Sequence, residues 1–197
     1  MSKLSESIPC VDVPEGSAGI WRVERFTVSD DDVRMHNLRC MFNPGQGRRT
    51  IKAGTYTRLM RGSTVVMSDT DAEKFDHFWT VRMATGTILL NGLGIGMVLN
   101  ACLLKPEVEK AIVVEKNQEV IALCGEHYCN KFRGRVEIVH SDAFDFKPTK
   151  GTRFGMVWHD IWDNICSDNL PEMTKLHRRY GRRTEWQGSW CKEECSI

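Results

Sequence analysis

The segment that most constrains the fold of this chain is an apolar run followed by three closely spaced glycines. Ile88-Leu89-Leu90 is typical of a buried strand, and Gly92, Gly94 and Gly96 follow at every second position before a helical pattern begins. Glycine adopts torsions closed to other residues and lets the backbone approach a ligand, and the helix start offers free N–H groups. By itself the turn is weak support for a ligand, because many tight strand–helix turns need glycine for steric reasons only.

The chain from about residue 70 alternates short apolar strands with helices. The predicted elements are strands at 87–90, 111–114, 136–139 and 155–158, and helices at 71–84, 97–104 and 118–128. Continuous apolar strands separated by amphipathic helices predict a parallel sheet covered on both faces. We therefore expect an α/β, doubly wound domain over residues 71–197.

The first predicted helix has its own start signal and apolar pattern. Thr70 and Glu73 have the spacing of a capping box. The apolar side chains of the helix recur at helical spacing and are Phe75, Phe78, Trp79 and Met83.

Residues 1–70 instead carry short β-type runs broken by turn residues. Predicted strands at 20–28, 55–60 and 64–67 are separated by segments rich in Pro, Gly, Asp and Asn, namely 14–16, 29–32, 43–47 and 61–63. This pattern predicts a small antiparallel sheet ahead of the main domain. Its edge strands could pair with those of a second copy, so we expect a homodimer formed through this segment.

Composition excludes several classes of protein. The 27 Lys and Arg residues nearly balance the 26 Asp and Glu residues, so the basic excess typical of nucleic-acid or membrane-surface binding is absent. No stretch approaches a membrane span, and the N-terminus lacks the apolar core of a signal peptide. The eight cysteines show no metal-ligand spacing. We expect a cytoplasmic protein with reduced thiols, no metal, no membrane and no nucleic-acid partner.

The strand after the glycine turn predicts a nucleoside ligand. Val113-Val114-Glu115 ends in an acid about 20 residues beyond the glycines, where a carboxylate typically binds ribose hydroxyls. The spacing is Gly-x-Gly-x-Gly, not the Gly-x-Gly-x-x-Gly of dinucleotide folds, which favours S-adenosylmethionine (SAM) over NAD. Asn91 and Lys116 flank these positions and belong to the same predicted site.

Two further strand ends add polar residues to the same sheet edge. Asp142 and Ala143 follow the third strand, where a carboxylate could accept from an adenine amino group or simply cap a helix. The fourth strand ends in His159, Asp160 and, shortly after, Asp163. Open α/β sheets bind ligands at this edge, and paired acids suit a cationic substrate.

Taken together, these motifs resemble a known family. The stretch from about residue 58 to 163 resembles the class I SAM-dependent methyltransferase fold, and more closely its spermidine synthase (aminopropyltransferase) branch. Gly92-Leu-Gly94-Ile-Gly96 resembles the glycine loop, Val108 to Glu115 the ribose-binding strand, and Asp142-Ala143-Phe144 the adenine-side segment. Asp160-Ile-Trp-Asp163 matches the Asp-x-x-Asp of aminopropyltransferases.

The resemblance implies aminopropyl transfer from decarboxylated SAM to a small amine such as putrescine. Asp160 would then take the proton of the amine, Asp163 would hold a distal ammonium, and His159 would assist. The family's chains continue with strands that build the amine pocket, so we expect that wall to be missing or rebuilt here. Two alternatives stay open: a methyltransferase using intact SAM, and a non-catalytic protein that binds SAM or methylthioadenosine.

Overall fold

The N-terminal part of the chain forms an antiparallel sheet. The computed structural model describes residues 8–42 and 51–196. The sheet order is β1-β2-β3-β4, with bounds β1 Gly16–Ala18, β2 Trp21–Val28, β3 Gly54–Arg61 and β4 Thr64–Ser68. Gly62 turns β3 into β4 with a φ of 61°, a torsion that favours glycine. The predicted antiparallel segment is confirmed.

One predicted turn in this region is wrong. Residues 29–32 start a helix, α1 (Asp30–Phe42), between β2 and β3. The Ser29 hydroxyl accepts a bond from Asp32 N–H at 3.2 Å, and the Asp32 carboxylate accepts one from Ser29 N–H at 3.0 Å. This reciprocal capping box, with three acids in the first turn, favours a helix start. The predicted turn at 43–47 lies outside the described residues.

The second sheet is parallel and is flanked by helices. Its strands are β5 (Gly86–Asn91), β6 (Val108–Glu115), β7 (Val136–His140), β8 (Phe154–His159) and β9 (Thr184–Ser189). The helices are α2 (Asp71–Met83), α3 (Met97–Leu103), α4 (residues 118–131, with a π-helical stretch at Ile121–Gly125) and α5 (Leu170–Tyr180). None of the helices in the described part of the chain has both the length and the apolar character needed to cross a membrane.

The strand order decides where a ligand can bind. It is β7-β6-β5-β8-β9, with each neighbouring pair parallel. Read from β5 as the first strand, this is the 3-2-1-4-5 order of doubly wound sheets, in which the chain reverses direction beside the first strand. The crevice at this reversal lies between the carboxyl ends of β5 and β8. The predicted doubly wound fold is confirmed.

The strand β9 is not apparent in the sequence. Its residues Thr184-Glu-Trp-Gln-Gly-Ser include few of the β-branched side chains typical of buried strands. Backbone pairing with β8 places Gly188 opposite Trp158, and a side chain at Gly188 would meet the indole of Trp158 at 2.8 Å. Glycine is needed there so that the strand can pass the Trp158 ring, which stacks on Trp186.

The buried face of α2 differs from the one that its apolar residues indicate. Trp79 is 67% exposed and Met83 is 39% exposed, whereas the buried residues of the helix are Ala72, Lys74, His77, Thr80 and Val81. The His77 ring packs edge-on against the indole of Trp158 at 5.6 Å. The predicted Thr70 side-chain cap is also absent, and the Thr70 hydroxyl lies 3.0 Å from the Ser68 hydroxyl instead.

The two sheets share one apolar core. Ile8, Trp21 and Leu59 pack in the same cluster as Leu90 and Tyr128 of the parallel domain. The predicted boundary at residues 70 and 71 therefore separates two sheets that are joined by continuous packing. The antiparallel sheet is held against the carboxyl edge of the parallel one.

Asp69, between the two sheets, is a polar anchor. It is fully buried, and its two carboxylate oxygens accept bonds from Val11 N–H at 3.0 Å and Thr57 N–H at 2.7 Å. A single side chain thus ties the N-terminal segment to β3 at the start of α2.

We expect Asp69→Ala to lower the free energy of unfolding by about 2–6 kcal/mol, because each of the two buried N–H groups left without an acceptor costs about 1–3 kcal/mol. The control is Asp31→Ala, whose carboxylate is 92% exposed and lies 3.6 Å from Arg34. Chemical denaturation measures both variants. Equal stability of the two variants would contradict the anchoring role.

Candidate active site

A cavity of about 300 Å³ lies at the carboxyl edge of the parallel sheet. Its floor is formed by the ends of β5, β6 and β8 and by the segment after β7. The antiparallel sheet and α2 supply the opposite wall, through Trp21, Leu59, Arg61, Val66, Met67 and Glu73. The volume is at the lower end of the range for small-molecule sites.

The three glycines of the turn are required by the packing of the protein itself. A side chain at Gly92 would meet the Asp160 carbonyl oxygen at 2.0 Å, and one at Gly94 would meet Met67 Sδ at the same distance. Gly96 faces the Tyr128 ring, again at 2.0 Å. Of the three, Gly92 and Gly94 line the cavity. The steric explanation of this motif therefore applies at every position.

Glu115 both lines the cavity and holds the glycine loop. One carboxylate oxygen accepts from Leu93 N–H at 3.0 Å, and the other accepts from the backbone and side-chain amides of Asn117 at 2.8 Å. A carboxylate offers about four acceptor positions, so further bonds to ligand hydroxyls are compatible with this arrangement. Glu115, the residue predicted to bind the ribose, thus lies where ribose hydroxyls can reach its carboxylate.

The segment after β7 carries the two residues that the sequence predicts for the adenine side of the site. Asp142 is exposed and lines the cavity, and its carboxylate accepts a bond from Phe144 N–H at 2.7 Å. This bond closes a turn at residues 143–145, and no helix starts there, so the helix cap that the sequence position allowed is not formed. Ala143 is buried and lines the cavity, as does Lys116.

Asp160 is a lining side chain whose ionisation is strongly altered by its surroundings. Burial raises the pKa of its carboxyl to about 7, and the nearby carboxylates of Asp76 and Glu115 act in the same direction. The His77 Nε2 atom lies 3.6 Å from one carboxylate oxygen. A carboxylate with this pKa can accept a proton near neutral pH, which is the requirement for a general base.

His159 and Asn91 are placed away from the cavity. Both are fully buried, and the Asn91 amide donates to His159 Nδ1 at 2.7 Å. Burial lowers the pKa of the His159 imidazole to about 3, and His177 has a smaller effect in the same direction. Neither residue is among the described residues that line the cavity. The structure thus pairs them with each other below the site and does not bring them to a ligand, because alternate residues of a strand face opposite sides of a sheet.

Asp163 already has a cationic partner. Its carboxylate lies 2.7 Å from Arg61 Nη2 at the end of β3, and the two side chains are about half exposed. Both residues line the cavity. The ion pair joins the loop after β8 to the antiparallel sheet.

Residues of the antiparallel sheet are the part of the site that motif reasoning missed. Arg61 and Trp21 line the cavity, with the guanidinium 5.6 Å from the ring centroid. Met67 Sδ accepts a bond from Ile95 N–H in the glycine loop at 3.2 Å. Motif reasoning could not find these contacts, because the residues that make them are far apart in the chain.

Comparisons with known proteins find similarity over part of the chain. No family model matches the chain. The polyamine aminopropyltransferase of a Synechococcus strain is 35% identical over 86 residues, which cover 41% of this chain and 25% of that protein. The chain thus spans about a quarter of the length of this curated relative.

Solved structures with similar folds include an aminopropyltransferase and a methylase. Spermidine synthase from Thermotoga maritima matches with a TM-score of 0.43 and 19% identity, over 78% of this chain and 48% of that chain. An rRNA methylase from Streptococcus thermophilus matches with a TM-score of 0.44 and 7% identity, over 57% and 64% of the respective chains.

The family resemblance identified from the motifs is confirmed by the aminopropyltransferase match. The fold itself is a doubly wound, Rossmann-like parallel sheet with an added antiparallel sheet.

We expect Gly92→Ala to destabilise the protein by about 2–4 kcal/mol, because its Cβ would meet a backbone carbonyl and its φ is 102°. Gly134→Ala is the control: its φ is 78°, and a Cβ there meets nothing within 4 Å. The control should lose about 1 kcal/mol from the positive φ alone. Thermal or urea unfolding measures the difference, and equal losses would contradict the close approach of Gly92 to Asp160.

We expect the His159 imidazole to stay neutral, with its proton on Nε2, from pH 8 to pH 5, because burial lowers its pKa to about 3. Ring ¹⁵N chemical shifts, assigned by comparison with His159→Gln, measure this state. A titration midpoint near the ordinary histidine value of about 6.5 would contradict the buried environment.

Proposed function

We propose that this protein is a transferase that moves a group from a SAM-type sulfonium nucleoside to a small amine, with Asp160 as the general base. The observation that carries the proposal is the Asp160 carboxyl, whose pKa is raised to about 7 inside a cavity at the ligand-binding edge of the sheet. The predicted nucleoside residues line the other end of the same cavity.

The residues present fit a nucleoside at this end. Gly92 and Gly94 line the cavity, and Glu115 offers carboxylate oxygens to ribose hydroxyls. Asp142 and Ala143 supply a polar and an apolar contact for an adenine ring. Each of these assignments belongs to the proposal.

The charge of the cavity fits a cationic ligand. Of the described lining residues, six are acids and two are Lys or Arg: Glu73, Glu115, Asp142, Asp160, Asp163 and Glu172 against Arg61 and Lys116. A sulfonium ion and a protonated amine are both cations, and such an excess of carboxylates attracts them.

A sulfonium nucleoside supplies an electrophilic carbon and a neutral thioether leaving group. The attacking amine nitrogen must be uncharged, so the Asp160 carboxylate accepts its proton as the new N–C bond forms and the C–S bond breaks. Holding the amine in line with the C–S bond supplies much of the rate. In this arrangement His159 acts as a buried support of the strand end.

Two donors are compatible with this chemistry. The Asp160 and Asp163 spacing and the aminopropyltransferase match favour aminopropyl transfer from decarboxylated SAM. The Arg61–Asp163 ion pair favours methyl transfer from intact SAM, because Arg61 places a cation beside the acid that would hold a distal ammonium. A non-catalytic nucleoside-binding protein is the third candidate.

The homodimer, the cytoplasmic location and the unit formed by residues 1–70 stay predictions. They extend the proposal and do not support it.

We expect calorimetric titration to show binding of SAM or decarboxylated SAM, and transfer to a diamine to increase as pH rises through about 7, because the base is the ionised form of Asp160. Asp160→Asn should keep nucleoside affinity and lose about 100-fold or more in turnover. Asp145→Asn, an exposed acid near the cavity that is not among its lining residues, is the matched control.

Absence of binding by both nucleosides would contradict the proposed function. Nucleoside binding by the wild type without transfer to a diamine would favour the non-catalytic protein. Turnover that is unchanged in Asp160→Asn would remove Asp160 from the base role.

A further inference from the structure

The ion pair between Arg61 and Asp163 occupies the cavity at a place where the family motif predicts a free acid. Arg61 Nη2 lies 2.7 Å from the Asp163 carboxylate, and the guanidinium packs over the Trp21 ring. All three side chains line the cavity. The arginine is therefore part of the ligand-facing surface.

The strand order gives the place of this pair along the cavity. Glu115 and Asp142 follow β6 and β7 on one side of β5, whereas Asp160 and Asp163 follow β8 on the other side. A nucleoside held by the first pair has its ribose and base at the β6–β7 end. The part of a sulfonium donor beyond the sulfur then falls at the β8 end, beside Arg61.

The cations of the cavity are distributed between these two ends. Of the described lining residues, Lys116 and Arg61 are the Lys and Arg side chains, and Lys116 directly follows Glu115 at the nucleoside end. Arg61 is therefore the lining cation at the reacting end, among Asp160 and Asp163. Without it this end would repel any carboxylate that a donor carries.

We infer that Arg61 is a carboxylate-recognition residue that selects a donor with an intact carboxylate. The guanidinium forms bidentate hydrogen bonds with carboxylates, and the carboxylate of the ligand replaces that of Asp163. The exchange costs little, because partly exposed ion pairs contribute little to stability. Asp163 holds Arg61 in place until the ligand binds.

This inference rests on the proposed function and names its donor as intact SAM. Decarboxylated SAM has no group to replace Asp163, so it gains nothing from Arg61. Methylthioadenosine lacks the whole amino-acid part and reports on the nucleoside end alone.

The chain offers a matched control for removing Arg61. Arg58, on the same strand, has an acidic partner, Glu24, at 2.6 Å and packs over the Phe26 ring at 4.9 Å, but it does not line the cavity. Replacing Arg58 therefore removes an equivalent ion pair and ring contact away from the ligand.

The experiment is calorimetric titration of the wild type, Arg61→Gln, Arg58→Gln and Asp163→Asn with SAM, decarboxylated SAM and methylthioadenosine. We expect the wild type to bind SAM at least about tenfold more tightly than decarboxylated SAM. Arg61→Gln should lose this preference with methylthioadenosine affinity unchanged, and Arg58→Gln should retain it. Asp163→Asn should bind SAM more tightly than the wild type, because it removes the competing carboxylate.

The outcomes separate the inference from the proposed function. If methylthioadenosine binds and Arg61→Gln weakens SAM and decarboxylated SAM equally, the inference is overturned while the nucleoside site stands. A wild type that prefers decarboxylated SAM also overturns it and supports aminopropyl transfer. If the wild type binds none of the three, the proposed function fails. Should Arg61→Gln not fold, weaker SAM binding by Asp163→Asn overturns the inference by itself.

Discussion

The close approach of three strand ends at Gly92 is the constraint on which the rest of the site depends. Gly92 N–H donates to Val114 of β6 at 2.8 Å, and Asp160 N–H donates to Asn91 of β5 at 2.8 Å. The Asp160 carbonyl occupies the space of a missing Gly92 side chain. Any larger residue would separate β5 from β8 and move the partly buried Asp160 carboxyl. The positions of the glycine loop and of the acid therefore depend on each other.

Burial then divides the polar residues of this edge into two groups with different chemistry. His159 and Asn91 hydrogen-bond each other below the site, and burial keeps the imidazole neutral. Asp160 lies one residue further on and has its pKa raised towards neutrality. Two adjacent residues thus differ in role because they differ in the side of the strand end that they face.

The antiparallel sheet is part of the site as well as a cover for it. It shares the apolar core of the parallel domain, is tied to it through Asp69, and contributes Arg61 and Trp21 to the cavity. A sheet that only shielded apolar surface would not need an arginine paired with the loop after β8. This contribution is why the charge pattern at the reacting end differs from the one that the Asp-x-x-Asp spacing suggests.

The sequence by itself determined the doubly wound sheet, the glycine turn and the acids at successive strand ends. These features are local, because an apolar run, a spaced glycine or a residue after a strand is readable within a few positions. The sequence did not indicate β9, whose polar residues are held by pairing with β8 around Trp158. It also did not indicate the buried face of α2, where His77 faces inward and Trp79 faces out. The tertiary structure alone decided that His159 is buried, that Asp160 has a pKa near 7 and that Asp163 pairs with Arg61. Each of these depends on atoms more than a dozen residues away in the chain, whose burial and charge no local pattern contains.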